Sequence, residues 1–474
     1  MATRVPELLR LYREGAEAMA AGEVPQGEPV SVYFHSRTGA ALYVPAAMLE
    51  LDSELLAGHG ELCFASGEAP QRVLRGLLGK LEVRAYPRKR KLRTAARAEE
   101  RLARRFAGET LAIGWARLAK APEGFEADDV FAAADAVRSG FGNPPWQRVR
   151  DGEVAITGVV FPEEVRQGEK EDAWLFAVRW RRRVSGELEE DAYVARGERL
   201  TSEDLGARIP KLEALPGAVV AQLGLGAIGA PLALELCRNQ LGELRLLEGD
   251  DVEVAQVVRW PFGLGAAGQS KLEVIAGFIE RDYPYTVVER FAHRLGSTAI
   301  NRGDRGENEL ELLERFLEGS SLVIDATAER GIQQLISDFS REHELTQLYA
   351  SATEGARGGQ IALVVPDAGG CWHCWKLHAD EPKDRREIQL PPFDSEGTVQ
   401  PRGCASRTFT GASFDLLPIV AQAARVAAAA LDPDRESVST VWVCAVPGEE
   451  VDAPQWQQFE LPVHAACRYC AGER

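Results

Sequence analysis

Apolar and polar residues follow two different patterns along the chain, and the change falls near residue 200. Residues 154–183 alternate apolar and polar side chains around a polar turn at 167–170, which predicts a β-hairpin. From Arg208 onward, an apolar strand, a glycine-rich turn, a helix and a second strand follow one another, an order typical of a parallel α/β sheet. The patterns therefore predict an N-terminal α+β domain over 1–200 and a second domain, an α/β domain with a mostly parallel sheet, over 201–474.

Three shorter patterns lie in the N-terminal part. Residues 1–20 have the apolar spacing of a helix, and 30–50 predict two short strands around a turn at Thr38–Gly39, followed by the start of a helix. Residues 86–106 are densely basic with interleaved glutamates, which favours a solvent-facing helix over a site for an acidic partner. None of these patterns carries a chemical motif that we can name.

Composition narrows the class of protein. A chain of 474 residues with 45% hydrophobic residues can form two or three domains with buried cores. Its formal net charge of −17 argues against binding to nucleic acid or to an anionic membrane. The apolar stretch 217–236 is interrupted by Gln222 and Glu235 and is too weak for a membrane span, and the first residues lack the apolar segment of a secretory signal. We therefore expect a cytoplasmic protein whose eight cysteines are metal ligands or thiols rather than a disulfide framework.

A nucleotide-binding turn follows the first strand of the second domain. The largely apolar strand 218–224 leads into Gly224, Gly226 and Gly229, a GxGxxG pattern that opens an apolar helix. Glycines there let the backbone turn tightly and approach a phosphate at the helix N-terminus. Glu248 ends the next strand, 19 residues after Gly229, where a ribose-binding acid belongs. This arrangement by itself fits NAD, FAD or ATP.

Two cationic residues beyond the second strand help to distinguish between these candidate cofactors. Arg259 and Lys271 follow the acidic strand end. An enzyme that cleaves a triphosphate needs cations to offset charge as pyrophosphate departs, whereas a dinucleotide oxidoreductase does not. For either residue alone, an ordinary surface cation is the simpler interpretation.

The ordered motifs resemble a known family. The runs GLGAIG (224–229), EGDDVEVAQVVR (248–259) and GQSK (268–271) are similar in order to those of the ubiquitin-activating-enzyme-like adenylyltransferases, the family that includes ThiF, MoeB and HesA. The resemblance covers about 205–474. It implies a Rossmann-like sheet, ATP with Mg²⁺ as cofactors, and commonly a homodimer.

The resemblance also implies roles for single residues. Glu248, where the family has Asp, would hold the ribose, and Asp250 and Gln256 would contribute to the nucleotide site, Gln256 standing where the family has Asn. Arg259 would act on the phosphates and Lys271 would contact them.

A third strand carries the family's acidic element. In 321–329, Asp325 matches the first acid of the pattern DxxDN, which serves ATP and magnesium, and Ala328 stands at the second acid. Either Asp325 or Glu329 then serves magnesium, or the metal is held differently. The substitution keeps open a catalytically degenerate scaffold that binds a ubiquitin-like protein.

Four cysteines form two CxxC pairs. Cys371, Cys374, Cys467 and Cys470 match a tetrahedral structural zinc site that closes a long loop, and the family places zinc between these segments. A redox CxxC is the alternative, disfavoured because two pairs are present without a thioredoxin-like context.

One unpaired cysteine differs from the others. Cys63, Cys237 and Cys444 lie in apolar surroundings and read as buried, whereas Cys404 lies in a polar stretch and is flanked by Arg402 and Arg407. The family's crossover loop, here about 376–410, passes over the adenylate, and some members form a thioester on a cysteine there. The alternative is an inert loop cysteine.

The resemblance implies a reaction and partners. ATP would adenylate the C-terminal carboxylate of a small ubiquitin-like protein, Cys404 would hold it as a thioester, and a ubiquitin-conjugating-type enzyme would receive it. The layout also resembles activating enzymes of bacterial ubiquitin-like conjugation operons, in which 1–200 would be an inactive adenylation-like domain or a docking module. Activation of a sulfur carrier for thiamine or molybdopterin synthesis is the second hypothesis, and a nicotinamide dehydrogenase is the weakest.

Overall fold

A computed structural model of the protein divides the chain into two compact units, Met1–Leu205 and Gly206–Arg474. We had predicted the boundary at about 200. The structure describes residues 29–34, 37, 40–64, 75–84, 92–138, 146–149, 152–166, 169–209, 212–296, 308–400, 407–446 and 453–471. The predicted helix in 1–20 and the predicted turn at Thr38–Gly39 lie outside the described residues.

The first unit is built mainly from β-strands. Its strands are β1 (Ala41–Pro45), β2 (Ala57–Phe64), β3 (Arg75–Arg84), β4 (Leu92–Arg97), β5 (Thr110–Arg117), β6 (Gln147–Val149), β7 (Gly152–Arg166), β8 (Glu169–Val184) and β9 (Glu187–Leu200). Its helices are α1 (Ala46–Leu49), α2 (Glu100–Arg105), α3 (Ala127–Val137) and α4 (Ser202–Gly206), which reaches the boundary, with a 3-10 turn at Val30–Tyr33.

These strands form one sheet in the order β1-β9-β8-β7-β5-β2-β3-β4, and β1 also pairs with β3, so the sheet closes on itself. The pairs β1–β3, β1–β9 and β5–β7 are parallel, and the other pairs are antiparallel. The predicted hairpin over 154–183 is confirmed as β7 and β8. Predominantly antiparallel pairing differs from the parallel sheet that an adenylation-like domain would have.

The hydrophobic core of this unit lies on both faces of the sheet. Trp115, Trp174 and Phe176 are buried on one face, and α3 covers the other with Val130 and Ala134. This two-sided burial explains why β7 and β8 carry long apolar runs in addition to alternating segments.

Two local predictions in this unit are wrong. Val30–Tyr33 is a 3-10 turn rather than a strand, although the helix start after β1 is present as α1. Leu92–Arg97 forms β4 instead of helix, and within the described part of this basic stretch the helix spans Glu100–Arg105. Pairing of β4 with β3 outweighs the local helix propensity, and basic side chains are common on such outer strands.

The second unit alternates strands and helices. Its strands are β10 (Val219–Leu223), β11 (Glu243–Leu247), β12 (Val287–Phe291), β13 (Leu322–Asp325), β14 (Gln347–Ala352), β15 (Gly358–Val364), β16 (Thr398–Val399), β17 (Thr408–Phe409), β18 (Thr440–Ala445) and β19 (Gln455–Glu460). Its helices are α5 (Gly229–Arg238), α6 (Lys271–Asp282), α7 (Glu309–Leu317), α8 (Arg330–Glu342), α9 (Trp372–Asp380) and α10 (Ser413–Ala430).

Eight strands form the main sheet in the order β12-β11-β10-β13-β14-β15-β18-β19. The first four pairings are parallel and the last three antiparallel, which is the expected Rossmann-like, mostly parallel sheet. The chain leaves β10 toward β11 on one side and later returns to β13 on the other. In open α/β sheets, such a switch of direction leaves a crevice at the carboxyl ends of the strands, where ligands bind.

Helices cover both faces of this sheet. Helices α5, α6 and α10 pack on one face and α7 and α8 on the other. Among the described helices, α10 is the one long and apolar enough to cross a membrane, but its residues Ile419, Val420 and Ala423 are buried in the core of the unit. One face of α10 therefore packs in the core of this unit.

The predicted crossover loop begins later than expected. Residues 376–380 are the last residues of α9, which ends at Asp380 because Pro382 disfavours helix at the residue before it. Irregular chain follows up to the short strand β16, which pairs with β17.

Candidate active site and metal centre

The glycine turn lies at the carboxyl end of β10, between β11 and β13. Gly224 has φ +84°, and a Cβ atom on it would lie 3.0 Å from the backbone of Ala326. A Cβ on Gly229 would lie 2.0 Å from the carbonyl oxygen of Gly224. By contrast, a Cβ on Gly226 would meet no atom within 4 Å. The fold itself thus requires the first and third glycines, and Gly226 leaves the open space through which a phosphate can approach the backbone.

Three side chains hold this turn in place. Gln222 Nε2 donates to the carbonyl oxygen of Gly229 at 2.7 Å, and Trp260 Nε1 donates to that of Leu225 at 2.8 Å. The backbone N–H of Leu225 donates to Glu248 Oε2 at 2.8 Å. Sequence analysis treated Gln222 only as an interruption of an apolar run and missed Trp260 altogether.

The Glu248 carboxylate sits at the end of β11 in a fixed orientation. Its Oε1 accepts hydrogen bonds from the backbone N–H groups of Gly249 and Asp250, at 2.8 and 2.9 Å. A carboxylate offers about four acceptor positions. Because the described backbone occupies three, roughly one remains for a ribose hydroxyl.

Lys271 is the first residue of α6 and is almost completely buried. Its Nζ lies 3.5 Å from Asp250 Oδ2, and Arg294 Nη1 lies 3.6 Å from the other oxygen of Asp250. Both distances are long for a hydrogen bond, so the ammonium keeps donors for another acceptor. Gln256 lies in the 3-10 turn Val254–Gln256, where its Oε1 accepts from the backbone N–H of Glu253 at 3.3 Å.

Arg259 is held by β17. Its Nη1 donates to the carbonyl oxygen of Phe409 at 2.7 Å, its Nη2 donates to Thr408 Oγ1 at 3.3 Å, and its Cζ lies 4.5 Å from the centroid of the Phe409 ring. Partial burial lowers the pKa of Arg259 from its usual value, which still leaves the guanidinium charged. Its neighbour Trp260 donates to the glycine turn, so Arg259 lies one residue from a side chain that contacts the turn.

Asp325 ends β13, in register with Leu223 of β10. Its Oδ1 accepts from the backbone N–H and the hydroxyl of Thr327 at 2.9 and 2.7 Å, and its buried Oδ2 has no hydrogen-bond partner among the described residues. Burial raises the pKa of Asp325 to about 6. Ala328 is exposed with φ +59°, and the negative charge of Glu329 contributes to the raised pKa of Asp325. A buried carboxylate oxygen without a hydrogen-bond partner among the described residues, close in sequence to a second acid, has the chemistry of a ligand for a hard cation such as Mg²⁺.

Lys376 is a cation that sequence analysis missed. Its Nζ lies 3.8 Å from the ring centroid of Trp375 and 5.3 Å from that of Trp372. Burial lowers the pKa of Lys376 to about 8, and its charge attracts the Asp325 carboxylate. Lys376 lies two residues after the end of a CxxC motif, and that position gives no indication that it lies near Asp325.

The four paired cysteines come together between α9 and the C-terminal segment. Cys371 precedes α9, and its Sγ lies 3.9 Å from that of Cys374 and 3.7 Å from that of Cys467. All four Sγ atoms, including that of Cys470, lie within 4.8 Å of one another. Tetrahedral zinc with Zn–S bonds of about 2.3 Å requires sulfur atoms about 3.8 Å apart. The donor set and spacing therefore fit a structural zinc ion.

The remaining described cysteines are poor nucleophiles. Burial raises the pKa of Cys63, that of Cys237 to about 12 and that of Cys444 to about 11. Cys63 is partly exposed rather than fully buried as expected. Cys404 and Arg402 lie outside the described residues, and Arg407 Nη2 donates to Thr398 Oγ1 at 2.8 Å.

Comparison with known proteins identifies the second unit. The ThiF family matches residues 205–431. The uncharacterized protein y4oA of Sinorhizobium fredii (strain NBRC 101917 / NGR234) is 32% identical over 329 residues, which cover 67% of this chain and 54% of y4oA. The chain thus spans about half the length of this relative. Ubiquitin-like modifier-activating enzyme 5 of Rattus norvegicus is 27% identical over 168 residues, covering 33% of this chain and 38% of that protein.

Among solved structures, E. coli MccB with ATP is similar to this chain with a TM-score of 0.40 and 16% sequence identity. The match covers 55% of this chain and 68% of that one.

Proposed function

Because the chain belongs to the ThiF family of adenylyltransferases, we propose that it uses ATP to adenylate the C-terminal carboxylate of a small ubiquitin-like protein. The name of the rat relative, ubiquitin-like modifier-activating enzyme 5, supports this substrate class. The main support is an arrangement: the glycine turn, the Glu248 carboxylate and Asp325 lie at the carboxyl ends of three adjacent parallel strands. Lys271 lies near the same edge of the sheet, with its Nζ 3.5 Å from Asp250 Oδ2.

The reaction activates the substrate carboxylate, which is a poor acyl donor, by joining it to AMP, which is a good leaving group. A carboxylate oxygen of the substrate attacks the α-phosphorus of ATP, the bond to the β-phosphate oxygen breaks, and pyrophosphate leaves with the negative charge. Lys271 and Arg259 offset that charge, and Glu248 orients the ribose. Cations fixed in place before the reaction stabilise such a charge without reorganising.

Two metal ions fit the residues present. Asp325 and Glu329 would hold Mg²⁺, which would neutralise phosphate charge. Cys371, Cys374, Cys467 and Cys470 would hold a structural Zn²⁺.

The steps after adenylation are part of the same proposal. Cys404 would attack the acyl-adenylate and hold the small protein as a thioester for transfer to a ubiquitin-conjugating-type enzyme. The raised pKa values of the other unpaired cysteines support this choice. The described cysteines form no disulfide bond, which supports action in the reducing cytoplasm. We also propose that the first unit is a docking module and that the protein forms a homodimer.

Ala328 favours one alternative, a degenerate scaffold that binds the small protein without activating it, because an exposed alanine stands where the family has an acid.

ATP–pyrophosphate exchange separates the two hypotheses. Exchange should depend on a candidate small protein with an intact C-terminal glycine and should fall about 10²–10³-fold in Lys271→Ala, which loses one fixed charge. Arg281→Ala, which removes an exposed cation at the other end of α6, should keep exchange. Absence of exchange with the intact small protein, or wild-type exchange in Lys271→Ala, would contradict the proposal.

A further inference from the structure

The crossover hairpin, which we define as β16 with β17, contributes the partners of Arg259. Two consecutive residues of β17 surround the guanidinium: Thr408 through its hydroxyl, and Phe409 through its carbonyl oxygen and its ring. Arg259 and Phe409 are 150 residues apart in sequence. Together these three contacts fix both the position of the Arg259 side chain and the plane of its guanidinium group.

The crossover hairpin is itself anchored to the main sheet. The carbonyl oxygen of Gly397, just before β16, accepts from the N–H of Thr410 at 2.8 Å and from that of Gly355 at 3.0 Å. Gly355 belongs to the 3-10 turn that follows β14, and the adjacent Glu354 carbonyl oxygen accepts from the N–H of Asp394 at 3.0 Å. The partners of Arg259 are thus connected to the parallel sheet that carries the glycine turn.

We propose that Phe409 and Thr408 are positioning residues that hold the Arg259 guanidinium in the orientation in which it meets the phosphates of bound ATP. The inference rests on the proposed function and adds to it a link between the nucleotide site and the crossover hairpin.

The donor count of arginine makes this double role feasible. A guanidinium has five N–H donors in a rigid plane. The hairpin uses two of them. Three remain, and a bidentate contact with a phosphate needs two. Arg259 can therefore bind phosphate without leaving the crossover hairpin, and the hairpin removes the rotamer freedom that a long side chain would otherwise lose on binding ATP.

Affinity for a non-hydrolysable nucleotide tests the inference without requiring turnover. The probe is adenosine 5′-(α,β-methylene)triphosphate with Mg²⁺, titrated calorimetrically into the full-length protein. Phe409→Ala should weaken binding about fivefold, which corresponds to a cation–π contact of about 1 kcal/mol, whereas Phe409→Tyr should restore it. Thr408→Val should weaken binding two- to threefold with little change in shape. Phe393→Ala is the matched control. The Phe393 ring lies in the irregular chain before β16 and is largely exposed, so its removal should not affect the affinity.

A double-mutant cycle separates positioning from a merely structural role. If Phe409 acts through Arg259, adding Phe409→Ala to Arg259→Ala should cause no further loss of affinity. Fivefold additional loss in the Arg259→Ala background would overturn the inference, as would wild-type affinity in both Phe409→Ala and Thr408→Val. Failure of the unmodified protein to bind the nucleotide would overturn the proposed function, and the inference with it.

Discussion

Replacing Cys467 with serine should release the metal and the C-terminal segment together. Cys467 is buried in the four-cysteine cluster and belongs to the last described segment of the chain, whereas its partner Cys371 directly precedes α9 and Cys374 lies in its first turn. Serine keeps the size of the side chain but removes a thiolate, and three remaining sulfur ligands hold zinc less tightly than four.

The size of the effect follows from the loop that the metal closes. There are 92 residues between Cys374 and Cys467. For a covalent cross-link, closing a loop of about 100 residues stabilises the folded state by at most about 4–5 kcal/mol through the unfolded chain. A unit of this size changes its Tm by about 2 °C per kcal/mol, so we expect a fall of up to about 10 °C.

Zinc content by atomic emission and Tm by calorimetry should be measured on the same preparation. The unmodified protein should contain about one zinc per chain, and Cys467→Ser should lose most of it with the fall in Tm. Cys444→Ser is the matched control, because Cys444 is buried in β18 away from the cluster and its replacement should leave zinc content unchanged. Full zinc occupancy with an unchanged Tm in Cys467→Ser would refute the four-cysteine site.

Three further predictions test other parts of the site. Gly226→Ala should keep the Tm but weaken nucleotide binding at least tenfold, whereas Gly229→Ala should lower the Tm because its Cβ would lie 2.0 Å from a carbonyl oxygen; calorimetry measures both. Asp325 has a folded-state pKa of about 6 against an ordinary 3.8, so its ionisation should reduce the stability of the free protein by about 3 kcal/mol as pH rises from about 3 to about 7. Denaturant titrations should show that Asp325→Asn removes this dependence; an unchanged pH profile would contradict the assignment. Cys404→Ala should still form the acyl-adenylate but lose the reductant-sensitive thioester on a gel, and persistence of that band would place the thioester elsewhere.

Local chemistry explains which features could be predicted from sequence. The glycine turn is dictated by backbone conformation over six residues, and the CxxC spacing by the reach of two thiols toward one metal, so both leave a visible pattern. Contacts between distant segments leave none. Trp260 meets Leu225 from 35 residues away and Arg259 meets Phe409 from 150, and nothing near either residue in sequence indicates its partner.

The N-terminal unit shows the same limit at the level of secondary structure. Its β7–β8 hairpin is consecutive in sequence and leaves a pattern that predicts it. The pattern at β4 predicts a helix instead, because the pairing of β4 with β3 is a tertiary interaction. The parallel pairing of β1 with both β3 and β9, which closes the sheet, joins segments more than 30 and 150 residues apart and has no sequence signature.

The central claim is that ATP is cleaved between its α- and β-phosphates with AMP transferred to a carboxylate. The most direct measurement incubates the protein and a candidate ubiquitin-like protein with ATP labelled in either the α- or the γ-phosphate, followed by rapid quenching in acid and separation of the protein fraction. The α-label should appear with the small protein or, once Cys404 has taken that protein over as a thioester, as AMP. The γ-label should leave as pyrophosphate, and removal of the small protein's C-terminal glycine should abolish both. Formation of ADP, or γ-label on either protein, would contradict adenylation of the carboxylate.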